Sequence, residues 1–447
     1  MVSSPIAVVM VSSPIAVVVV AVVLFVVSRP IIHRVAIAEG KPWLIRIMMV
    51  SLVLHLLAAP AQVYVVDHFY RGVADFIRYD SKGAILAPGF RHLDFSIASA
   101  HVGGIVNNGS VSIAAGVVFA LVGANKIAGF LVFSWLAFLG TILFFRAFSL
   151  TFAGANLKRY AYLLFFFPSL IFWTADISKE AIMMLSLGVT SYGAAKVLAG
   201  KRGGFLLVLL GVALGILIRP NELLVAMGGF TAAMLVGQSG VQRTAGGSGR
   251  RVLRIAFFGS LLGLSVYLTL HYLHGSTGSF SLQQTAHDNN GPGAGFGSSG
   301  VPYSTSLVTY PRDVYYVLFD PLPMTAHSTS QLIAALENSI IVGVILLSFR
   351  QIKMVPRAAL ARGYVMMCVV YSLGFMYAIA ALGNLGLIER ERTMVFPFLL
   401  VPLCIPLSPR GQRPRYEWEV RRRDRLRLRR AAEVRRRAAF HGARPAG

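Results

Sequence analysis

The stretch LLFFFPSLIFWTADISKEAIMMLSLGV, residues 163–189, places three charged side chains between two apolar runs. The charges are Asp176, Lys179 and Glu180, and the rest of the stretch carries none. Charge inside hydrocarbon is costly, so this pattern is typical of two membrane-crossing segments that meet at the membrane boundary. The stretch therefore predicts helical spans with a short polar turn between them.

The same pattern extends over most of the chain. Of its 447 residues, 56% are hydrophobic and 13% are charged, with a mean hydropathy of +0.67. A soluble domain is about a quarter charged, and a transmembrane barrel would show short alternating strands instead. We predict an all-α polytopic membrane protein with about 11–12 transmembrane helices, each needing roughly 20 apolar residues. The candidate spans are 5–27, 43–66, 109–124, 127–145, 160–175, 181–199, 203–218, 223–238, 255–273, 331–349, 363–385 and 393–408.

The distribution of basic residues predicts the topology. Residues 410–447 contain fourteen Arg and four acidic residues, which is typical of a cytoplasmic tail rather than of a nucleic-acid site in so apolar a chain. We expect residues 1–409 to form the transmembrane domain of a multi-pass plasma-membrane protein. The segment 67–105, with amphipathic parts, and the large loop 274–330 should then lie outside the cytoplasm. The positions of the basic loops leave open whether 109–124 crosses the membrane.

Ionisable residues recur at the junctions predicted to face outwards. The first such segment, VDHFYRGVADFIRYDSKG (66–83), supplies Asp67, Tyr70, Asp75 and Asp80. Charges at a membrane boundary either pair with one another to hold helix ends in place or line a wet functional cavity. Their repetition on one face favours a functional site. The later junctions supply the polar Asn221 and the ionisable Asp176, Lys179, Glu180, Arg219, Glu222, Glu337, Glu389, Arg390, Glu391 and Arg392.

Three of these junctions resemble the GT-C superfamily of membrane glycosyltransferases. PSLIFWTADISKEA (168–181) is similar to a Pro-Ser-x-x-Phe-Trp … Gly-Lys-Asp/Glu-Ala junction in polysaccharide-cluster members, with Ser178 in place of the Gly. YPRDVYYVLFDPLPMTAHSTSQLIAALE (310–337) and GNLGLIERERTMVFPFLL (383–400) resemble later junctions, although Met324 and Thr325 replace an aromatic–acidic pair. The likeness extends loosely over residues 60–405.

This resemblance implies an inverting sugar transfer from a polyprenyl-phosphate donor to a glycan or lipid acceptor outside the membrane. Such chemistry needs a carboxylate base and cations near the leaving phosphate. The implied base is Asp67, with Asp75 and Asp80 as rivals. A divalent cation between carboxylate and phosphate is compatible with the reaction, although no ligand spacing requires one, and no metal ligands are assigned. The implied substrate-binding residues are Tyr70, Lys179, Glu180, Arg219, Arg390 and Arg392.

Two other classes of protein stay open at this point. A polysaccharide polymerase or ligase acting on lipid-diphosphate-linked glycans would use the same arginine-rich junctions. A transporter or flippase would place its ionisable residues near the bilayer midplane. Here the charges gather at helix ends and no repeat relates the two halves, which favours an enzyme over a transporter.

Overall fold

The computed structural model describes residues 14–69, 75–236 except 103, 105 and 154, 308–380 except 328, and 385–407, with isolated positions between 256 and 263. Every regular element in these ranges is helical. The helices are α1 (Pro14–Glu39), α2 (Trp43–Phe69), α3 (Phe76–Arg91), α4 (Ile97–Val102), α5 (Asn108–Val122), α6 (Lys126–Thr151), α7 (Lys158–Phe166), α8 (Pro168–Phe172), α9 (Lys179–Leu198), α10 (Gly204–Ile216), α11 (Pro220–Val236), α12 (Tyr310–Phe319), α13 (Thr329–Leu347), α14 (Phe349–Ala361), α15 (Gly363–Ala380), α16 (Leu385–Glu391), a 3₁₀ turn (Arg392–Met394) and α17 (Phe396–Leu403).

Five of these helices are long and apolar enough to cross a membrane, namely α1, α2, α6, α9 and α15. A sixth span is possible by length if α13 and α14, which meet at 71°, are taken together. The predicted fold class, an all-α polytopic membrane protein, is thereby confirmed.

Within the described residues, helix length alone identifies fewer spans than the 11–12 predicted for the whole chain. Helices α5, α10 and α11 are apolar but have only 15, 13 and 17 residues, and α5 at 1.5 Å per residue is about 22 Å long, less than the hydrocarbon thickness. The predicted span 160–175 is broken between Phe167 and Pro168, because proline lacks the amide that would continue a helix. The predicted span 393–408 contains only the eight-residue α17.

Helix α6 lies at the centre of the bundle, where most of its side chains are buried. It packs against α9 through two glycines, Gly140 and Gly188. A Cβ added to Gly140 would lie 2.3 Å from the carbonyl oxygen of Met184, and one added to Gly188 would lie 2.5 Å from the carbonyl oxygen of Gly140. Small residues of this kind let helix backbones approach closely in membranes. The two helices run parallel, since Arg146 also lies over the ring of Tyr192, further along both.

The segment predicted as the first outer loop contains α3 and α4. Helix α3 packs against α5, and Tyr79 Oη donates a 2.8 Å hydrogen bond to Asn108 Oδ1 at the start of α5. The amide of Asn107 in turn donates to the carbonyl of Leu217 at 2.7 Å. The first turn of α5 therefore lies beside the end of α10, and both are close to the charged residues described below.

Several predicted features lie outside the described residues. They are Tyr70, the span 255–273 apart from four isolated positions, the basic tail 410–447 and the part of the loop 274–330 that precedes residue 308.

Candidate functional site

The charges of the opening stretch lie where α8 ends and α9 begins. Ser178 is the N-cap of α9, and its hydroxyl oxygen accepts a hydrogen bond from the Ala181 amide at 3.4 Å. Ser178 thus supports the helix start, a role that serine hydroxyls commonly fill. Lys179 and Glu180 form the first turn of α9, and Glu180 is completely buried there.

Glu180 is the centre of an ion-pair network. Its Oε1 accepts from Arg219 Nη2 at 2.6 Å, and its Oε2 accepts from Arg390 Nη2 at 2.8 Å. Arg390 Nη1 also bonds Asp75 Oδ2 at 2.7 Å. The network therefore joins α9 to the residue before α3, to the α10–α11 turn and to α16. We use the name Glu180 cluster for the cations Lys179, Arg219 and Arg390 together with the carboxyl groups Asp75, Asp176, Glu180, Glu222 and Glu391.

Arg219 is the most heavily paired side chain of the cluster. Besides Glu180, it contacts Glu222 Oε1 at 2.5 Å and a carboxylate oxygen of Glu391. Burial opposes the charged form of Arg219. The charges of Glu391, Glu222 and Glu180 outweigh it and hold the pKa of Arg219 well above its usual value. Arg390 is likewise held above its ordinary pKa, with burial opposing and Glu180 as the largest favourable influence. Both arginines stay charged, and both are already satisfied by protein groups.

Lys179 differs from the two arginines. Its side chain is half-buried at the start of α9, and among the described residues it forms neither an ion pair nor a hydrogen bond. The charged groups that act on it are Arg219, Glu180, Glu391 and Asp75. Lys179 is thus a cation beside the network whose three donors are not taken up by the part of the chain that the structure describes.

Asp176 is a buried carboxyl at the edge of the same cluster. It is 8% exposed, and its Oδ1 has no hydrogen-bond partner within the described ranges. Burial is the main cause that raises the pKa of Asp176 to about 6; the Glu180 charge adds to this rise and Arg390 opposes it. The group therefore changes its protonation state near neutral pH, unlike an ordinary aspartate.

The three predicted base candidates occupy different surroundings. Asp75 is exposed but forms an ion pair with Arg390. Asp67 is exposed near the end of α2, and the described residues give it no ion pair. Asp80 is half-buried, and burial raises its pKa while Lys126 opposes the rise. Of the three carboxylates, Asp75 is the one that directly contacts the Glu180 cluster.

The side chains of the sequence ERER (389–392) lie in two different sites. Arg390 and Glu391 join the Glu180 cluster, whereas Arg392 is 1% exposed and points the other way, with its Nη1 3.3 Å from the Val317 carbonyl and its Nη2 3.8 Å from Glu337 Oε1. Positions 389 and 392 share a helix face, as residues three apart do. Burial raises the pKa of Glu389 to about 7, with the Arg392 charge opposing this rise.

The structure therefore brings together Lys179, Glu180, Arg219 and Arg390 from the predicted substrate-binding set, with Asp75 from the predicted bases. It places Arg392 in a separate buried contact, and it leaves the exposed Asp67 and the half-buried Asp80 outside the cluster. The residues that sequence reasoning did not assign to the site are Asp176, Glu222 and Glu391. Each stands in a charged junction together with an assigned residue, and that adjacency was the available signal.

The cluster contains three cations and five carboxyl groups. Within the described ranges no group of three His, Cys, Asp or Glu side chains is arranged to hold a metal ion. The arrangement can supply an ammonium group that no described residue pairs, an exposed carboxylate held by an arginine, and a buried carboxyl whose pKa burial raises to about 6.

The fold and the buried charges at one end of its helices define a multi-pass α-helical membrane protein. Comparison of the chain with protein-family models, with curated proteins and with solved structures found no match.

Proposed function

We propose that the protein is a membrane glycosyltransferase that moves a sugar from a polyprenyl-phosphate donor to a glycan or lipid acceptor at the outer face of the plasma membrane. The observation that carries the proposal is Lys179, a cation without an ion pair among the described residues. It lies beside four paired charges, Asp75, Glu180, Arg219 and Arg390, which four separate segments of the chain supply. A phosphate at a membrane boundary needs such a cation, and ionisable residues gathered at that boundary are candidates for a functional site.

In this proposal Lys179 binds the phosphate of the donor. Cleavage of the bond between the anomeric carbon and the phosphate oxygen leaves the electron pair on that oxygen, so negative charge grows there in the transition state. A preorganised ammonium group stabilises this charge. Arg219 holds the cluster together, because three carboxylates occupy its guanidinium group.

Asp75 is the carboxylate best placed to act as the general base. It would take the proton of the acceptor hydroxyl while that oxygen forms its bond to the anomeric carbon from the opposite side, which inverts the configuration. Its side chain is 63% exposed, so an acceptor can reach it, and Arg390 fixes its position at 2.7 Å. The basic tail would then lie in the cytoplasm, as the positive-inside rule predicts.

The proposal is tested with the full chain in proteoliposomes. The probes are polyprenyl-phosphate-linked glucose, mannose, galactose and arabinose, offered one at a time with a membrane extract of lipid-linked glycans as acceptor. We expect at least one donor to release polyprenyl phosphate, and Lys179→Met to lose that release. Lys158→Met is the matched control, because Lys158 also begins a helix but lies beyond the far end of α6.

The same assay separates the alternative classes of function. Extension of lipid-diphosphate-linked glycans in the absence of any monophosphate donor would instead identify a polymerase or ligase. Movement of the lipid-linked probes between leaflets without release of polyprenyl phosphate would identify a transporter. Either result would overturn the proposed transfer.

A further inference from the structure

Helix α14 lies across the end of the bundle rather than along it. Helix α13 stops at Leu347, the chain turns by 71° at Ser348, and α15 then returns into the bundle from Gly363. Transmembrane helices tilt by about 20° from the membrane normal on average. Helix α13 covers the apolar run predicted as the span 331–349, so a helix bent by 71° from it runs close to the membrane plane.

Both ends of α14 are fixed by arginines. At its start, Arg159 Nη2 donates to Ser348 Oγ at 2.6 Å and also reaches the last carbonyls of α13. Just beyond its end, Arg362 Nη1 donates to the carbonyl of Thr151 at 2.8 Å, and its guanidinium group lies over the ring of Phe152. The orientation of α14 is therefore set by contacts with the C-terminal end of α6 and the start of α7.

The surface of α14 has three stripes. One faces the protein and buries Gln351 and Ala359. The second is exposed and basic, with Arg350, Lys353 and Arg357 spaced so that all three share one side of the helix. The third stripe is exposed and apolar and runs beside the basic one; it consists of Phe349, Ile352, Pro356 and Leu360.

None of the three basic residues forms an ion pair with any residue that the structure describes. The Lys353 ammonium group lies 4.4 Å from the centre of the Phe349 ring, at the border between the basic and the apolar stripe. A helix with an apolar face and an adjoining Lys/Arg face is typical of segments that lie in the membrane interface. There the apolar side chains enter the acyl region and the cations meet anionic headgroups.

We infer that α14 is an interfacial helix whose basic stripe binds the headgroups of anionic phospholipids while its apolar stripe enters the adjacent acyl region. The charge complementarity of Arg350, Lys353 and Arg357 identifies the ligand class. The 71° bend and the apolar stripe identify its source as a lipid surface rather than a free phosphate ion. This surface is separate from the Glu180 cluster and does not depend on the proposed transferase activity.

Site-directed spin labelling of the full chain tests the inference. Both native cysteines, Cys368 and Cys404, are buried, and the unsubstituted chain serves as the labelling blank. Nitroxides are attached to Ile352→Cys and Leu360→Cys on the apolar stripe and to Arg350→Cys and Arg357→Cys on the basic stripe. Collisions with oxygen, which concentrates in hydrocarbon, and with a water-soluble nickel chelate are compared in phosphatidylcholine vesicles with and without phosphatidylglycerol.

We expect oxygen access at the apolar stripe and nickel access at the basic stripe. Phosphatidylglycerol should lower nickel access at Leu360→Cys, and high salt should reverse that change. In the double variant Lys353→Gln, Arg357→Gln the effect of phosphatidylglycerol on this label should be lost. It should persist in the matched control Arg78→Gln, Lys82→Gln, which removes two charges from α3.

Three results would overturn the inference. Equal nickel access at both stripes in every lipid would mean that α14 faces water or a soluble partner. Oxygen access at all four positions would mean that the helix crosses the hydrocarbon. An equal response to inorganic phosphate in pure phosphatidylcholine vesicles would mean that the stripe binds free anions and not a lipid surface.

Discussion

Replacing the central carboxylate of the Glu180 cluster should destabilise the protein strongly. Glu180 is completely buried and bonds two arginines, Arg219 at 2.6 Å and Arg390 at 2.8 Å. In Glu180→Gln one carboxylate oxygen becomes an NH2 group, which turns a donor towards an arginine that also donates. Arg219 keeps two other carboxylates, whereas among the described residues Arg390 keeps one ion-pair partner, Asp75, which is largely exposed.

Removing one partner of a buried ion pair lowers the free energy of unfolding by about 3–5 kcal/mol. Because Asp75 remains, we expect the lower end, about 3 kcal/mol, which is roughly a 100-fold fall in the ratio of folded to unfolded protein. The matched control is Glu222→Gln. Glu222 makes one bond to the same Arg219, and its Oε2 has no partner in the described part of the chain. Because a single bond to a charged group is weakened, its replacement should cost about 1.5 kcal/mol.

The assay is reversible unfolding of the purified protein in mixed micelles, with increasing dodecyl sulfate and a helicity readout. The reasoning requires Glu180→Gln to unfold at clearly lower denaturant than Glu222→Gln. Equal midpoints for the two variants would refute it, because the two glutamates would then contribute alike in spite of their different numbers of partners.

Three further predictions concern packing, pH and chemistry. Gly188→Ala should destabilise the bundle by about 1–3 kcal/mol, because its Cβ would press on the α6 backbone, whereas Gly228→Ala, with nothing within 4 Å, should be neutral or stabilising in the same unfolding assay. Burial raises the pKa of Asp176 to about 6 in the folded protein, whereas it is near 4 in the unfolded chain. Protonated Asp176 therefore stabilises the folded state by up to about 3 kcal/mol below pH 4, and this contribution is lost as pH rises through 6. Unfolding at pH 4 and pH 7 should show this loss, and Asp176→Asn should remove it; an unchanged pH dependence would contradict the assignment. Asp75→Asn should lower sugar transfer at least 10²-fold with little change in Asp67→Asn, and the reverse order would move the base to Asp67.

The sequence predicted the class of fold because apolar runs must match the hydrocarbon thickness. It did not predict which runs would be continuous helices. The break at Pro168 is visible in the sequence, but the short lengths of α5 and α10 depend on how neighbouring helices pack.

The sequence predicts which junctions between helices carry the charged residues of the site, but not which of these residues pair with one another. Glu180 and Arg390 are 210 positions apart, and no local pattern specifies that they meet. The division of ERER follows from helix geometry, since residues three apart share a face, but the direction of each face depends on where α16 packs. Arg392 was therefore assigned to the same role as Arg390, although the structure buries it against Glu337.

The most direct test of the central claim is the affinity of the purified protein for polyprenyl phosphate, with polyprenol as the uncharged reference. A bond between Lys179 and the phosphate is charge-assisted and contributes about 1.5–3 kcal/mol. Lys179→Met should therefore weaken polyprenyl phosphate binding by roughly 10- to 100-fold and leave polyprenol binding unchanged. The control Lys158→Met should not weaken polyprenyl phosphate binding in this way. Equal affinities of Lys179→Met and Lys158→Met for polyprenyl phosphate would contradict a donor site at the start of α9.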